Sequence, residues 1–304
     1  MDGTMKMKRE VRFGTYNPII NFIFFIGAIA LCMFLNHPAF LFCSVISSFT
    51  LYLTINPKKA FRLMPAMALP FVIISLVNPF FNIYGKTVLF TCFGGRPYTL
   101  EALYYGMANA AMFVSVMVWF ASYNEIMTSD KFLYIFGRVV PSVSMILTMV
   151  LRFVPNYTRK AKQIANARKC IGKAGDEGGK KEKIENGMTV LSSLTNYALE
   201  GGIMTADSMQ SRGYGCGKRT TFSIYRFDGR DKALISFMAL SLALVLFCVS
   251  NGAASVSYTP DLFISGFENI YTVTGVVCYF IFLMIPTVIN VMEEITWRIL
   301  RSKI

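Results

Sequence analysis

Long stretches without charge divide this chain. Residues 13–57 contain no Asp, Glu, Lys or Arg and are broken only at Asn36-His37-Pro38. Further charge-free windows cover 63–85, 102–124, 233–260 and 269–292. A helix needs about 20 apolar residues to cross a bilayer. The first window fits two spans joined at the Asn-His-Pro turn, and each of the others fits one. The pattern predicts about six spans, near 18–35, 39–56, 63–84, 100–122, 233–250 and 268–290. An even number puts both termini on the same side. The first apolar run follows a basic stretch, is long and lacks a small-residue cleavage signature, so it reads as a span and not as a signal peptide.

Composition agrees with lipid as the solvent. Hydrophobic residues make up 54% of the 304 residues and charged residues only 15%, against roughly 25% charged in soluble domains. The fold class expected is an all-α integral membrane protein with long amphipathic cytosolic helices in addition to its spans. A net charge of +13 would point to nucleic acid in a soluble protein, but here the placement of the charges matters more. Of 30 Lys and Arg, all but Lys86 and Arg96 precede the first span, follow the second, lie between Lys131 and Lys232, or follow the last. Basic residues stay on the cytosolic side during insertion. Both termini and the middle segment are therefore expected in the cytosol, beneath a cell's inner (cytoplasmic) membrane, and no nucleic-acid partner is expected. Three regions follow: 1–124 with four spans, 125–231 as a cytosolic region, and 232–304 with two spans and a short tail.

The chain has 7 cysteines and 1 histidine. No Cys-x-x-Cys pair occurs, and Cys32, Cys43, Cys248 and Cys278 fall in expected spans. They read as small apolar residues. No metal site, catalytic residue or cofactor is expected.

The cytosolic segment is the most informative. Thr128-Ser129-Asp130 is a helix N-cap. An apolar stretch, Val139 to Leu151, follows and ends at Arg152. Asn156–Cys170 is helical in character, with Ala161, Ile164, Ala165 and Arg168 at three- and four-residue spacing. A glycine-rich linker covers 172–181, and a second helix runs from about Ile184 to Gln210, stopped by Gly213-Tyr214-Gly215-Cys216-Gly217. Both helices are too polar at their ends to span, and they read as amphipathic. Ala161 and Ala165 on one, and Gly202 and Ala206 on the other, are small residues four apart, a spacing that permits close helix crossing. Each helix ends in a tripeptide centred on arginine: Ala167-Arg168-Lys169 and Ser211-Arg212-Gly213. A guanidinium fork can bind a carboxylate through two parallel hydrogen bonds, and small neighbours let such an end enter a groove. The same arginines could instead complement their helix dipoles and touch lipid phosphates; spacing alone leaves both open. Pro141, Pro155 and Gly201-Gly202 mark expected kinks or flexible points, and motion of the helices is expected to change a crossing of Ala165 with Ala206.

Taken together these residues resemble a family. Ala206-Asp207-Ser208-Met209-Gln210-Ser211-Arg212-Gly213-Tyr214-Gly215 is similar to the second signature of the transmembrane T component of energy-coupling factor transporters, which includes the cobalt-transport permease subunits. Leu151-Arg152-Phe153-Val154-Pro155 followed by Ala165-Asn166-Ala167-Arg168-Lys169 resembles its first. Asn17-Pro18 and Asn56-Pro57-Lys58-Lys59 are similar to further family positions. The chain departs in having Lys169 where the first signature has glycine, and Asn17 where an acid is usual. The resemblance implies a scaffold subunit of a vitamin or metal-ion importer. Its two signature helices would be coupling helices, each bound by an ATP-binding-cassette ATPase through Ala167, Arg168 and Lys169 or Ser211, Arg212 and Gly213. A small membrane protein, the S component, would hold the substrate. The chain itself would not be an enzyme.

Other classes find less support. Gly213-Tyr214-Gly215-Cys216-Gly217-Lys218-Arg219-Thr220 falls one residue short of a Walker motif and has Arg219 where Ser or Thr is required. A stand-alone secondary transporter, the alternative reading, places ionisable groups inside its spans; here Glu101 and Glu268 sit at span ends. A lipid-modifying enzyme needs surface carboxylates or His. Glu125 and Asp130 are the nearest, read as a solvated end-of-span charge and part of a cap.

Overall fold

The computed structural model describes residues 12–82, 87–92, 96–172, 179–217, 225, 227–257, 263–264 and 269–302. The basic residues of the first eleven positions, linker residues 173–178, Lys218-Arg219-Thr220 and Glu268 lie outside them. The elements in order are α1 (Arg12–Thr15), α2 (Pro18–Phe34), α3 (Pro38–Ile55), α4 (Pro57–Phe81), β1 (Val88–Cys92), β2 (Arg96–Thr99), α5 (Leu100–Ile126), α6 (Ser129–Val139), α7 (Pro141–Cys170), α8 (Lys180–Ser211), α9 (Gly229–Ser250), β3 (Val256–Ser257), β4 (Phe263–Ile264) and α10 (Ile270–Ser302). The fold is all-α. The strands among the described residues form two short antiparallel hairpins, β1 with β2 and β3 with β4. The chain forms two compact units, one of residues 1–129 with 225–304, the other of 130–224.

In the first unit, α3, α4, α5, α9 and α10 are long and apolar enough to cross a membrane, 5 helices among the described residues. The expected first span, α2, is apolar but has 17 residues, about 26 Å at 1.5 Å per residue. It is also well enclosed, with Ile20, Asn21, Phe24 and Ala28 fully buried.

Three of these helices start by one device. Asn17-Pro18, His37-Pro38 and Asn56-Pro57 each place proline in the first turn, where its missing N–H costs nothing. Asn17 Oδ1 accepts from the Ile19 N–H at 3.1 Å, and His37 Nδ1 accepts from Ala39 N–H at 3.2 Å. Asn17 therefore caps α2 with a neutral amide. Prolines also lie inside α4, at Pro65, Pro70 and Pro79.

The core centres on aromatic rings. Phe24 meets Phe13, Phe25, Trp119 and Phe282 with centroids 5.3–5.8 Å apart. Trp119 Nε1–H donates to Ser44 Oγ at 3.1 Å, and Ser44 Oγ lies 2.6 Å from Ser115 Oγ. These bonds tie α3 to α5 without using a charge. Close approach is set by glycine at Gly106, where a Cβ would fall 2.7 Å from the Ser75 carbonyl oxygen of α4. Glu125, expected as a solvated charge, is instead only 12% exposed and paired with Lys59 Nζ at 2.6 Å. The sequence could not show this pair because its members come from the start of α4 and the end of α5.

Candidate functional site

The second unit is an arm built from α6, α7 and α8. Two stretches read separately in the sequence, Val139–Leu151 from Pro141 onward and Asn156–Cys170, form the single helix α7, while Val139 closes α6. Pro141 is its first residue, and Pro155 lies inside it without breaking it. Likewise α8 runs unbroken through Gly187, Gly201 and Gly202. Helical neighbours on both sides of each residue hold these positions in register.

Side-chain contacts fix how α7 and α8 pair. The Tyr157 and Tyr197 rings meet edge-on at 6.3 Å, and Lys160 Nζ sits 4.7 Å from the Tyr197 ring centroid. About 12 Å beyond Lys160 along α7, Arg168 donates from Nε to Asn186 Oδ1 at 2.9 Å, and from a terminal nitrogen to the same oxygen. Partner numbers fall along α8 as they rise along α7, so the pair is an antiparallel hairpin. Phe153, Tyr157, Lys160, Ala161, Ile164, Ala165 and Arg168 are all half-buried and recur at the three- and four-residue spacing of a helix seam.

The two arginine tips lie at opposite ends of this hairpin. Arg168 sits opposite Asn186, and Arg212 follows 26 positions later, about 39 Å along α8. The second tip ends in a Schellman motif: Tyr214 N–H donates to Met209 O at 3.1 Å and Gly213 N–H to Gln210 O at 3.0 Å. Gly213 makes this possible with φ +72°, a left-handed conformation costing a Cβ-bearing residue about 1–2 kcal/mol. Arg212 is thus the cap residue itself, exposed, between exposed Ser211 and Gly213. At the first tip the left-handed glycine is Gly172, φ +75°, whose N–H donates to Lys169 O at 3.1 Å. Arg168 and Lys169 therefore lie in the last helical turn, where their charge complements the helix dipole. Lys169 lies inside the helix, and the left-handed glycine falls three residues later, at Gly172. Ala167 and Lys169 are exposed and Arg168 is half-buried.

The small residues are not brought together as a crossing. Ala161 and Ala165 line the seam, but the register sets Ala165 opposite Thr189 and Val190. Ala206 lies about 25 Å further along the axis. A Cβ at Gly202 would meet no atom within 4 Å. Small residues permit close approach but do not choose a partner, which is why spacing alone missed the register. One participant was also missed: Asn186 carries no sequence signal.

Apolar helices able to cross a membrane, with a separate helical unit, define the class: a multi-pass α-helical membrane protein. No protein-family model matches the chain. Curated relatives do, and three carry the name energy-coupling factor transporter transmembrane protein. That of Staphylococcus aureus (strain 04-02981) is 24% identical over 262 residues, 79% of this chain and 97% of the relative. Those of Lactobacillus helveticus (strain DPC 4571) and Streptococcus thermophilus (strain ATCC BAA-250 / LMG 18311) are 28% and 31% identical over 117 and 116 residues. These two matches span less than half of each relative's length, 42% and 44%. These names agree with the resemblance read from the sequence: this chain is similar to proteins named as the transmembrane protein of energy-coupling factor transporters.

Proposed function

We propose that the chain is the membrane scaffold of an energy-coupling factor importer. It couples ATP hydrolysis by two cytosolic ATPases to substrate release by a separate membrane subunit that binds a vitamin or metal ion. The arm and both termini face the cytosol, in keeping with the Lys and Arg distribution. The observation that carries this reading is the pair of capped, arginine-bearing helix ends at opposite ends of one hairpin. Such an arrangement suits a grip on two separate subunits. Arg212 offers its whole guanidinium fork to a carboxylate. Arg168 spends two of its five N–H donors on Asn186 and keeps the rest. Ala167, Lys169, Ser211 and Gly213 flank the two forks. Ala161 and Ala165 keep the arm thin, and Gly202 and Ala206 leave a slim face for a partner helix.

Removing one member of a buried, hydrogen-bonded charge pair costs about 2–5 kcal/mol. Arg168→Ala with Arg212→Ala should therefore abolish co-purification of the ATPases and ATP-dependent uptake, while the protein still inserts. Wild-type uptake by this double variant overturns the assignment of the arginines. Transport by the chain alone in liposomes overturns the scaffold reading.

A further inference from the structure

The two helices of the arm differ sharply in charge. α7 carries Arg152, Arg159, Lys160, Lys162, Arg168 and Lys169 and no Asp or Glu. Lys160 and Arg168 are engaged with α8. Arg152, Arg159 and Lys162 are exposed, and none makes an ion pair among the described residues. At 100° per residue these three fall within an arc of about 80° centred opposite the α8 seam. Leu151, 41% exposed, lies at the edge of that arc, about 16 Å along the helix from Lys162. On α8, Glu182, Glu185, Glu200 and Asp207 are exposed and share an arc of about 60°, but Lys180, Lys181 and Lys183 stand among them in the first turn. The α7 back is therefore basic without acid, whereas α8 is of mixed charge.

We propose that the outer face of α7, through Arg152, Arg159 and Lys162, docks on anionic phospholipid headgroups. The proposal rests on the reading that the arm faces the cytosol, where the leaflet surface is negative. Three features select lipid as the occupant. The face is basic with no acid to offset it, which complements an anionic surface. Its long side chains can lay apolar stems along the helix surface while their charged ends reach phosphates. The chain also delivers the arm to the bilayer, since α6 begins three residues after the spanning helix α5 ends, a reach of at most ~10 Å.

Each basic side chain near an anionic surface contributes about fivefold to partition, so three give on the order of 100-fold. That is enough to turn a mostly free arm into a mostly docked one, and the effect is screened by salt. The test uses the full chain, in a cysteine-free background, in nanodiscs of phosphatidylcholine alone or mixed with phosphatidylglycerol. A nitroxide at Gln163→Cys, beside the basic arc, reports membrane depth, and one at Ser192→Cys on exposed α8 is the control. In anionic discs the Gln163 label should sit at headgroup depth. High salt, or Arg152→Gln with Arg159→Gln and Lys162→Gln, should return it to solvent, with helicity unchanged. The Ser192 label should not move. Equal depth in neutral and anionic discs overturns the proposal, as does docking that survives the triple substitution. A label that is shielded only when an ATPase is added also overturns it, in favour of a protein partner. Each of these failures leaves the co-purification result of the scaffold reading standing.

Discussion

Gly106 is where the packing of the spans can be tested most directly. On α5 it faces α4 so closely that an added Cβ would lie 2.7 Å from the Ser75 carbonyl oxygen and 3.1 Å from Asn78 Cβ. The nearer obstacle is backbone, so no side-chain rotation relieves it, and the helices must separate by several tenths of an ångström. Overpacking of this kind costs about 2–3 kcal/mol, and replacing a helical glycine by alanine returns up to ~1 kcal/mol. Gly106→Ala should therefore destabilise the first unit by roughly 1–2 kcal/mol, and Gly106→Leu by more. Gly187→Ala on α8 is the matched control: a Cβ there meets nothing within 4 Å, so only the propensity gain of up to ~1 kcal/mol should remain, as slower amide exchange in the arm. Denaturation of purified protein can be followed by Trp119, which is fully buried on the same helix, after Trp297→Phe removes the exposed second indole. If Gly106→Ala is as stable as the parent, the helices do not cross as tightly as described and the reasoning fails.

Four further outcomes are expected. A cysteine at Ala165 should couple oxidatively to one at Val190 and not to one at Ala206; the reverse result would refute the hairpin register. Ser44→Ala should orphan the buried Trp119 N–H, cost about 1–2 kcal/mol and shift Trp119 emission, whereas Ser44→Thr should retain the bond. Gly213→Ala should fray the end of α8 by about 1–2 kcal/mol, read as faster amide exchange at Tyr214. Lys59→Glu should lower thermal stability, and adding Glu125→Lys should recover part of the loss; absence of recovery would mean that the pair contributes nothing.

The sequence was most legible where one residue type carries one physical consequence. Charge-free windows located α3, α4, α5, α9 and α10 because a bilayer tolerates few charges. Gly213 announced the end of α8 because few residues adopt its backbone conformation at low cost. Legibility failed where structure depends on partners. Pro155 looked like a boundary, yet α7 passes through it. The polar bonds of Ser44, Ser115 and Trp119 were hidden inside windows defined only by lacking charge. Arg168 was singled out, but its partner Asn186 lies across a linker and has no motif. For Ala161, Ala165, Gly202 and Ala206, composition gave permission for contact, and only the register of two long helices decided which contacts are made.

The hairpin that separates Arg168 from Arg212 has a mechanical consequence. A strut of two helices resists bending far better than one, so a push at either end becomes rotation about a fulcrum. With ends about 39 Å apart, a tilt of about 5° about the midpoint raises one tip by roughly 1.7 Å and lowers the other equally. On the proposed function, two subunits gripping such a see-saw would not move independently: whatever draws one inward would displace the other by a matching amount.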